Sequence, residues 1–220
     1  MPEHRPFKTR PQMKIGVIGA GNVGTALAKR LVPQGHEVML SFSRDMVKLD
    51  ADAKALGATS GTPRQAVAFA DVVALTVPWG AVKEAIALAG PLTGKIIWDC
   101  TNALKPDLSG LEVGTDTSGA EIIAALAAGA RVVKGIPPFA ELLHSDDPTV
   151  GGRPAGTFLC GDDDDAKAAV RVLLEALPAD VVDAGPLVNA RFVEPAAMLL
   201  VRLAYGLGMG VRLSLALNRA

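Results

Sequence analysis

The stretch MKIGVIGAGNVGTALAKRLV, residues 13–32, decides the fold of this 220-residue chain. Met13–Ile18 is a short apolar run, which predicts a buried β-strand. GAGNVG, residues 19–24, follows directly as a glycine-rich turn, and Thr25–Val32 continues as a helix. A strand, a glycine turn and a helix in this order are typical of the βαβ unit that binds dinucleotides.

Three glycines of this turn have separate physical roles. Gly19 permits the tight turn, Gly21 lets the backbone approach a pyrophosphate, and Gly24 lets helix and strand pack closely. The helix then presents free N–H groups and the positive end of its dipole to the phosphates. We therefore predict a dinucleotide site here, rather than a glycine turn that binds nothing.

The rest of the chain repeats the alternation of strands and helices. This pattern predicts an α/β fold with a doubly wound, mostly parallel Rossmann sheet. We expect a flexible tail over residues 1–12, the Rossmann domain over 13–185 and a small C-terminal helical appendage over 186–220. The further predicted strands are 37–41, 71–77, 95–99, 131–135, 155–160 and 180–183, and the further helices are 45–56, 62–70, 81–89, 118–127 and 163–177.

Composition excludes several classes of protein. The chain has 22 basic and 23 acidic residues, which argues against a nucleic-acid partner because such proteins need a basic face. Cys100 and Cys160 stand far apart, so we expect no metal site and no disulfide, and a cytoplasmic location. Residues 196–217 are apolar, but Arg202 and Arg212 interrupt them, so we expect no membrane span.

The second strand lacks the carboxylate that an NAD site places at its end. An Asp or Glu is expected there to hold the ribose hydroxyls. This chain instead has Ser43 and Arg44, with Lys48 nearby, while Asp45 begins the next helix and is interpreted as its cap. Arginine offers a planar fork of donors to phosphate oxygens. The segment therefore predicts NADP(H), bound through its 2′-phosphate.

Several segments together resemble a known family. KIGVIGAGNVGTALAKRL, SRD, LTVPW, LCGDDDDAK, DAGPL and the late GMG of residues 208–210 are similar to the NADPH-dependent reductases of coenzyme F420, an 8-hydroxy-5-deazaflavin. The resemblance covers nearly the whole chain from Met13. Two departures concern the acceptor: VVKGIPPFAELL lacks the histidine found in archaeal members, and DCTNAL is more similar to a broader group that includes the cytosolic domains of membrane metalloreductases.

The resemblance implies a set of cofactor-binding residues, grouped by position along the chain. They are Ala20, Gly21, Asn22 and Val23 at the pyrophosphate turn; Ser43, Arg44 and Lys48 at the 2′-phosphate; and Val77, Pro78, Trp79, Lys83, Asn102, Ala103 and Pro138 towards the nicotinamide.

The acceptor is expected beside the nicotinamide. Pro137 belongs to the loop that resembles the family's nicotinamide loop, and Lys134 stands at the carboxyl end of its strand, where it either meets the acceptor or reaches solvent. Leu207 and Met209 are expected as apolar walls, and the C-terminal helices as a homodimer interface. His144, after the Pro-Pro loop, is left open as a site residue.

Hydride transfer to a deazaflavin ring needs orientation and a dry cleft rather than an acid–base pair, so we predict no catalytic side chain. The acidic run of residues 162–165 is interpreted as a helix cap, not a metal site. Two alternatives remain: an NADPH-dependent reductase of flavin, ferric iron or a small carbonyl, and a non-catalytic NADPH-sensing module. A carbonyl reductase needs a proton donor, for which only Lys83 or Lys134 is a candidate.

Overall fold

A computed structural model describes residues 12–218, so the predicted tail, apart from its last residue, lies outside the described chain. Its eight strands form one sheet in the order β3-β2-β1-β4-β5-β6-β7-β8. All neighbouring pairs are parallel except β6 and β7, which are antiparallel. The strands are β1 (Lys14–Ile18), β2 (Glu37–Ser41), β3 (Thr59–Ser60), β4 (Val72–Leu75), β5 (Ile96–Asp99), β6 (Arg131–Gly135), β7 (Ala155–Gly161) and β8 (Ala179–Asp183).

Helices cover both faces of this sheet, which confirms the predicted α/β fold. One core contains buried side chains of α1, α2, α6 and α7, and the other contains those of α3, α4, α5 and α8. The helices are α1 (Asn22–Leu31), α2 (Met46–Ala55), α3 (Pro63–Phe69), α4 (Val82–Ala89), α5 (Gly119–Leu126), α6 (Ala140–His144), α7 (Asp164–Ala176) and α8 (Ala190–Val201).

Local sequence explains where several helices begin. The Thr62 hydroxyl accepts from the Gln65 backbone N–H and the Gln65 side chain accepts from the Thr62 N–H, which is a capping box. Asp45 caps α2, and Asp163 caps α7 by accepting from the Ala166 N–H. The prediction that the acidic run caps a helix is thus confirmed.

The C-terminal segment is only partly the helical segment predicted over residues 186–220. It contains α8 and a π-helical turn over Arg202–Gly206, and residues 207–218 form no helix. Gly208 and Gly210 have φ of 67° and 78°, in the left-handed region that ends helices. In addition, α8 contributes Ala190 and Val193 to the core, so this helix packs against the sheet domain.

Two elements were missed: β3 has only two residues, and α6 follows two prolines. Within residues 12–218 no helix is long and apolar enough to cross a membrane.

Candidate functional site

Two cavities meet at the carboxyl ends of the central strands, where ligands of open α/β sheets bind. The first, of about 590 Å³, lies between the loops after β1, β4, β5 and β6 and the helix α8. The second, of about 510 Å³, lies between the glycine turn and α2. Gly21 and Asn22 line both cavities. The glycine turn is therefore the junction of one elongated site.

The glycine turn depends on the absence of side chains. Gly19 has φ of 120°, and a Cβ at Gly24 would lie 2.0 Å from the Gly19 carbonyl oxygen. At Gly21, by contrast, a Cβ would meet nothing within 4 Å, so the backbone faces open space. Gly21 is also the N-cap residue of α1 and provides no side-chain cap. Gly19 and Gly24 shape the turn, and Gly21 leaves its helix N-terminus accessible to a ligand.

The second cavity contains most of the residues predicted for the 2′-phosphate. Ser43 and Lys48 line it, together with Ala20, Asp52 and His144. Phe42 turns the chain after β2 with φ of 59°, an uncommon value for a bulky residue. Arg44 follows on the exposed side of this turn and is not among the lining residues.

His144 connects α6 to the glycine turn. Its Nε2 lies 3.1 Å from the Asn22 carbonyl oxygen and 3.4 Å from the Thr25 hydroxyl. Lys29 donates to the His144 carbonyl at 2.6 Å, and Arg30 donates to the carbonyl of Leu143 at 2.7 Å. These bonds fix α6 against α1, so His144 forms a wall of the second cavity.

The first cavity contains most of the residues predicted near the nicotinamide. Its lining includes Val23, Val77, Pro78, Trp79, Asn102, Pro137 and Pro138. The Asn102 amide Nδ2 donates to the Glu194 carbonyl at 3.2 Å. Its Oδ1 is buried and has no hydrogen-bond partner among the described residues.

Two predicted cofactor residues lie elsewhere. Lys83 is exposed on α4 and lines neither cavity, because the chain turns away from the sheet edge at Trp79–Ala81. Ala103 is fully buried and lines neither cavity, and its carbonyl accepts from the Glu112 N–H at 2.7 Å. The structure thus places these two side chains outside both cavities, and their roles in cofactor binding remain predictions.

Lys134 neither meets the acceptor cavity nor reaches solvent, which corrects both expectations. Its side chain is fully buried and pairs with Asp99 at 2.6 Å and Glu194 at 3.0 Å. It also donates to the Thr101 carbonyl at 2.8 Å. Burial alone would lower the pKa of Lys134, but the charges of Asp99 and Glu194 raise it above its ordinary value. Lys134 is thus a buried cation, held charged by two carboxylates.

Glu194 joins this buried network to three elements around the first cavity. Its carboxylate accepts from the backbone N–H groups of Gly119 at 2.8 Å and Ala120 at 3.0 Å, the first residues of α5. Asp99 accepts from the Thr101 N–H at 2.9 Å and hydroxyl at 2.7 Å. Together with the Asn102 bond, these contacts hold α8, α5 and the loop after β5 in one arrangement.

Leu207 and Met209, which were predicted as apolar walls, are 69% and 65% exposed and do not line the cavity. The chain continues past them, and residues 213–215 supply the wall instead. This segment crosses β7 at Gly156, where a Cβ would lie 1.8 Å from the Leu215 carbonyl oxygen. A side chain at that position would displace the wall.

Tyr205 and Glu141 form a polar pair in the lining of the first cavity. The Tyr205 hydroxyl donates to Glu141 Oε1 at 3.1 Å, and the tyrosine ring packs edge-on against Phe139 with centroids 5.7 Å apart. Burial and the Glu141 charge raise the pKa of Tyr205 to about 12. In sequence, the one signal for this residue is that it is the single tyrosine of the chain, three positions before the GMG segment.

The remaining reactive groups within residues 12–218 form neither a metal cluster nor an activated thiol. Cys100 lines the first cavity, but burial and the nearby Asp99 charge raise its pKa well above the ordinary value. Burial raises the pKa of Cys160 to about 12. Across residues 12–218, no three His, Cys, Asp or Glu side chains are grouped as a metal site requires.

The chain is similar in sequence and in fold to several known proteins. Residues 14–103 match the family model described as "NADP oxidoreductase coenzyme F420-dependent". Among solved structures, a provisionally assigned F420-dependent NADP reductase from Arthrobacter sp. FB24 has a TM-score of 0.82 and 28% identity, over 94% of this chain and 100% of that protein.

Two curated relatives are longer proteins, of which this chain matches only a part. Metalloreductase STEAP3 of Rattus norvegicus is 28% identical over 86% of this chain and 37% of its own length. A glycerol-3-phosphate dehydrogenase [NAD(P)+] of Xanthomonas campestris is 31% identical over 62% of this chain and 46% of its own length. The chain thus spans less than half the length of these relatives.

Proposed function

We propose that this protein, whose residues 14–103 match the model of an NADP oxidoreductase family, transfers a hydride between NADP(H) and a flat acceptor in the first cavity. The observation that carries the proposal is the joined site. A second cavity with a lysine lies on one side of the glycine turn, and a larger, mainly apolar cavity lies on the other. This arrangement suits an elongated dinucleotide with its reactive ring beside a second ligand.

The residues present fit NADP(H). The open backbone at Gly21 and the uncapped start of α1 suit the pyrophosphate. Arg44 and Lys48 suit the 2′-phosphate. The buried Oδ1 of Asn102, which has no partner within residues 12–218, is an acceptor at the end of the cofactor site where a carboxamide N–H₂ is expected.

The chemistry belongs to the cofactor, which supplies a hydride from its nicotinamide ring when bound. The protein orients the two rings and excludes water. Val77, Pro78 and Trp79 form one wall, and Ile136 and Pro137 form another. Glu194 holds α8 and α5 against the loop after β5, and residues of α8 and of that loop also line the cavity. Such fixed walls favour the near-attack geometry that hydride transfer needs.

Coenzyme F420 is the first acceptor that we propose. A deazaflavin takes the hydride on a ring carbon, so it needs stacking contact rather than a positioned acid. Apart from Lys105 and Glu141, the residues that line the first cavity in the described chain carry no charge. An aromatic tricyclic ring therefore matches the cavity better than a small anionic substrate does.

The decisive experiment follows the loss of deazaflavin visible absorbance after NADPH is added, with NADH, FMN and ferric citrate tested in parallel. Rapid bleaching by NADPH supports the proposal. If NADPH binds and F420 stays oxidised while FMN or ferric iron is reduced, the acceptor assignment is wrong and the reductase assignment stands. If NADPH is never oxidised by any acceptor, the alternative of a non-catalytic NADPH sensor replaces it.

A second candidate, reduction of a small carbonyl, is favoured by the Tyr205–Glu141 pair. Lys83 and Lys134 are unsuitable as proton donors because one lies outside the cavity and the other is buried in an ion network. Tyr205 stays protonated at neutral pH and lines the cavity. If it is the donor, Tyr205→Phe should reduce turnover of cyclohexanone about 100-fold. The same variant should reduce F420 turnover much less, because hydride transfer to a ring carbon needs no positioned acid, and equal losses on both acceptors would reject this role.

We also propose a cytoplasmic homodimer formed through α8. Phe192 and Leu199 are 73% and 51% exposed on this helix, and Val188 is 43% exposed just before it. A row of exposed apolar side chains on one helix suits an isologous contact with a second copy. Phe192→Glu should convert a dimer to a monomer in light scattering, and a monomeric wild-type protein at micromolar concentration would refute the interface.

A further inference from the structure

Lys48, the lysine expected to bind the 2′-phosphate, already has an anionic partner. Its Nζ pairs with the carboxylate of Asp52, one helical turn further along α2. Both side chains line the second cavity, and the Asp52 side chain is 30% exposed against 66% for Lys48. A carboxylate therefore stands inside the cavity proposed for a phosphate.

The other two residues predicted to bind the 2′-phosphate, Ser43 and Arg44, differ in whether they already have hydrogen-bond partners. The Ser43 hydroxyl donates to the Asp45 carbonyl at 2.9 Å and accepts from the Asp45 N–H at 3.2 Å. Arg44 is exposed and makes no hydrogen bond or ion pair with any residue between 12 and 218. Among the contacts within residues 12–218, Arg44 is thus the one of the three groups with none that a phosphate would have to break.

We propose that Asp52 is a specificity-determining residue that weakens the preference for NADPH, so that this site accepts both NADPH and NADH. The inference rests on the proposed function, because it concerns the same cofactor site. A 2′-phosphate that binds Lys48 must displace Asp52 and then lies near an uncompensated carboxylate. A 2′-hydroxyl meets no such repulsion and can donate to Asp52 instead.

The size of the effect follows from the position of the pair. Two like charges a few ångströms apart at an exposed site repel weakly in water, and salt screens them further. We expect Asp52→Asn to tighten NADPH binding about five- to tenfold at low salt. NADH binding should stay the same or weaken, because the variant removes an acceptor of the ribose hydroxyl.

The test is cofactor titration by NAD(P)H fluorescence with wild type, Asp52→Asn and the control Asp50→Asn. Asp50 carries the same charge on the same helix, but it accepts from the Ser60 hydroxyl at 2.5 Å and does not line the cavity. We expect wild-type Kd values for NADPH and NADH within about tenfold of each other. The gain in Asp52→Asn should shrink in 0.5 M NaCl, and Asp50→Asn should change NADPH affinity less than about twofold.

Three results would overturn the proposal. If Asp52→Asn weakens NADPH binding, Asp52 positions Lys48 for the phosphate rather than competing with it. If Asp50→Asn produces an equal gain, the effect is the net charge of the helix and not the pair. If neither cofactor binds to any of the three proteins although circular dichroism shows them folded, the proposed function itself fails together with this inference.

Discussion

Replacing Lys134 by methionine tests whether the buried network stabilises the domain. The change removes the cation between Asp99 and Glu194, which lie 2.6 and 3.0 Å from its Nζ. Loss of one partner from a buried ion pair costs about 3–5 kcal/mol, because the remaining charge stays buried. Each carboxylate here keeps two hydrogen-bond donors from neighbouring residues, so we expect the lower end, about 3 kcal/mol.

Urea unfolding at pH 7.5, followed by circular dichroism, measures this loss. For a domain of this size, 3 kcal/mol corresponds to a fall in Tm of roughly 6–12 °C. Lys167→Met is the matched control, since Lys167 also contacts two carboxylates, Asp164 at 3.1 Å and Asp183 at 3.2 Å, but at the surface. Surface pairs contribute about 0–1 kcal/mol, so the control should unfold close to wild type.

The pH dependence has a definite sign. The pKa of Lys134 is raised in the folded protein, so its contribution is complete below the unfolded value of 10.5 and is lost as pH rises through the higher folded value. The deficit of Lys134→Met should thus be constant from pH 7 to pH 9. A deficit under about 1 kcal/mol at pH 7.5, or one equal to that of Lys167→Met, would refute the reasoning.

Three further outcomes are expected. Gly24→Ala should destabilise the protein and abolish NADPH binding, because the added Cβ would lie 2.0 Å from the Gly19 carbonyl oxygen. Gly21→Ala should unfold like wild type in urea but bind NADPH more weakly, because its Cβ would enter the open space at the start of α1. Cys100 and Cys160 should react with a disulfide reagent at pH 8 far more slowly in native protein than in urea, because burial raises both pKa values, and rapid native labelling would contradict this. Asp163→Ala should cost about 1 kcal/mol in urea unfolding through loss of the α7 cap, and no loss would show the cap to be dispensable.

Local signals predicted much of the fold. A glycine turn, a proline at the first helical position and an aspartate before an apolar helix act within a few residues of their own position. This is why the glycine turn and the capped starts of α2, α3 and α7 could be located from the amino-acid sequence alone. Position next to a strand also explains why several of the predicted site residues line the first cavity. They directly follow strands whose carboxyl ends share one edge of the sheet, and they are Val77, Pro78, Trp79 and Asn102.

Contacts between distant segments could not be predicted in this way. Lys134 follows two valines at a strand end, and nothing near it in sequence reveals that Asp99 and Glu194 enclose it. Leu207 and Met209 are apolar, as residues that line a cavity often are. However, they follow a π-helical turn and lie beside two left-handed glycines, and the chain returns to the cavity only after them. Residue type predicted an apolar segment near the cavity, but the path of the backbone determines which of its residues line the cavity.

The two tryptophans occupy environments so different that they give the protein two separate optical reporters. Trp98 is fully buried in the sheet, and its indole N–H donates to the Gly135 carbonyl at 2.7 Å. Trp79 is partly exposed and lines the first cavity. A molecule that enters the cavity should therefore quench or shift the emission of Trp79 alone, while the emission of Trp98 changes only when the sheet itself comes apart. A Trp79→Phe variant emits from Trp98 alone, so comparing it with the wild type would assign one part of the emission to cavity occupancy and the other to unfolding of the sheet.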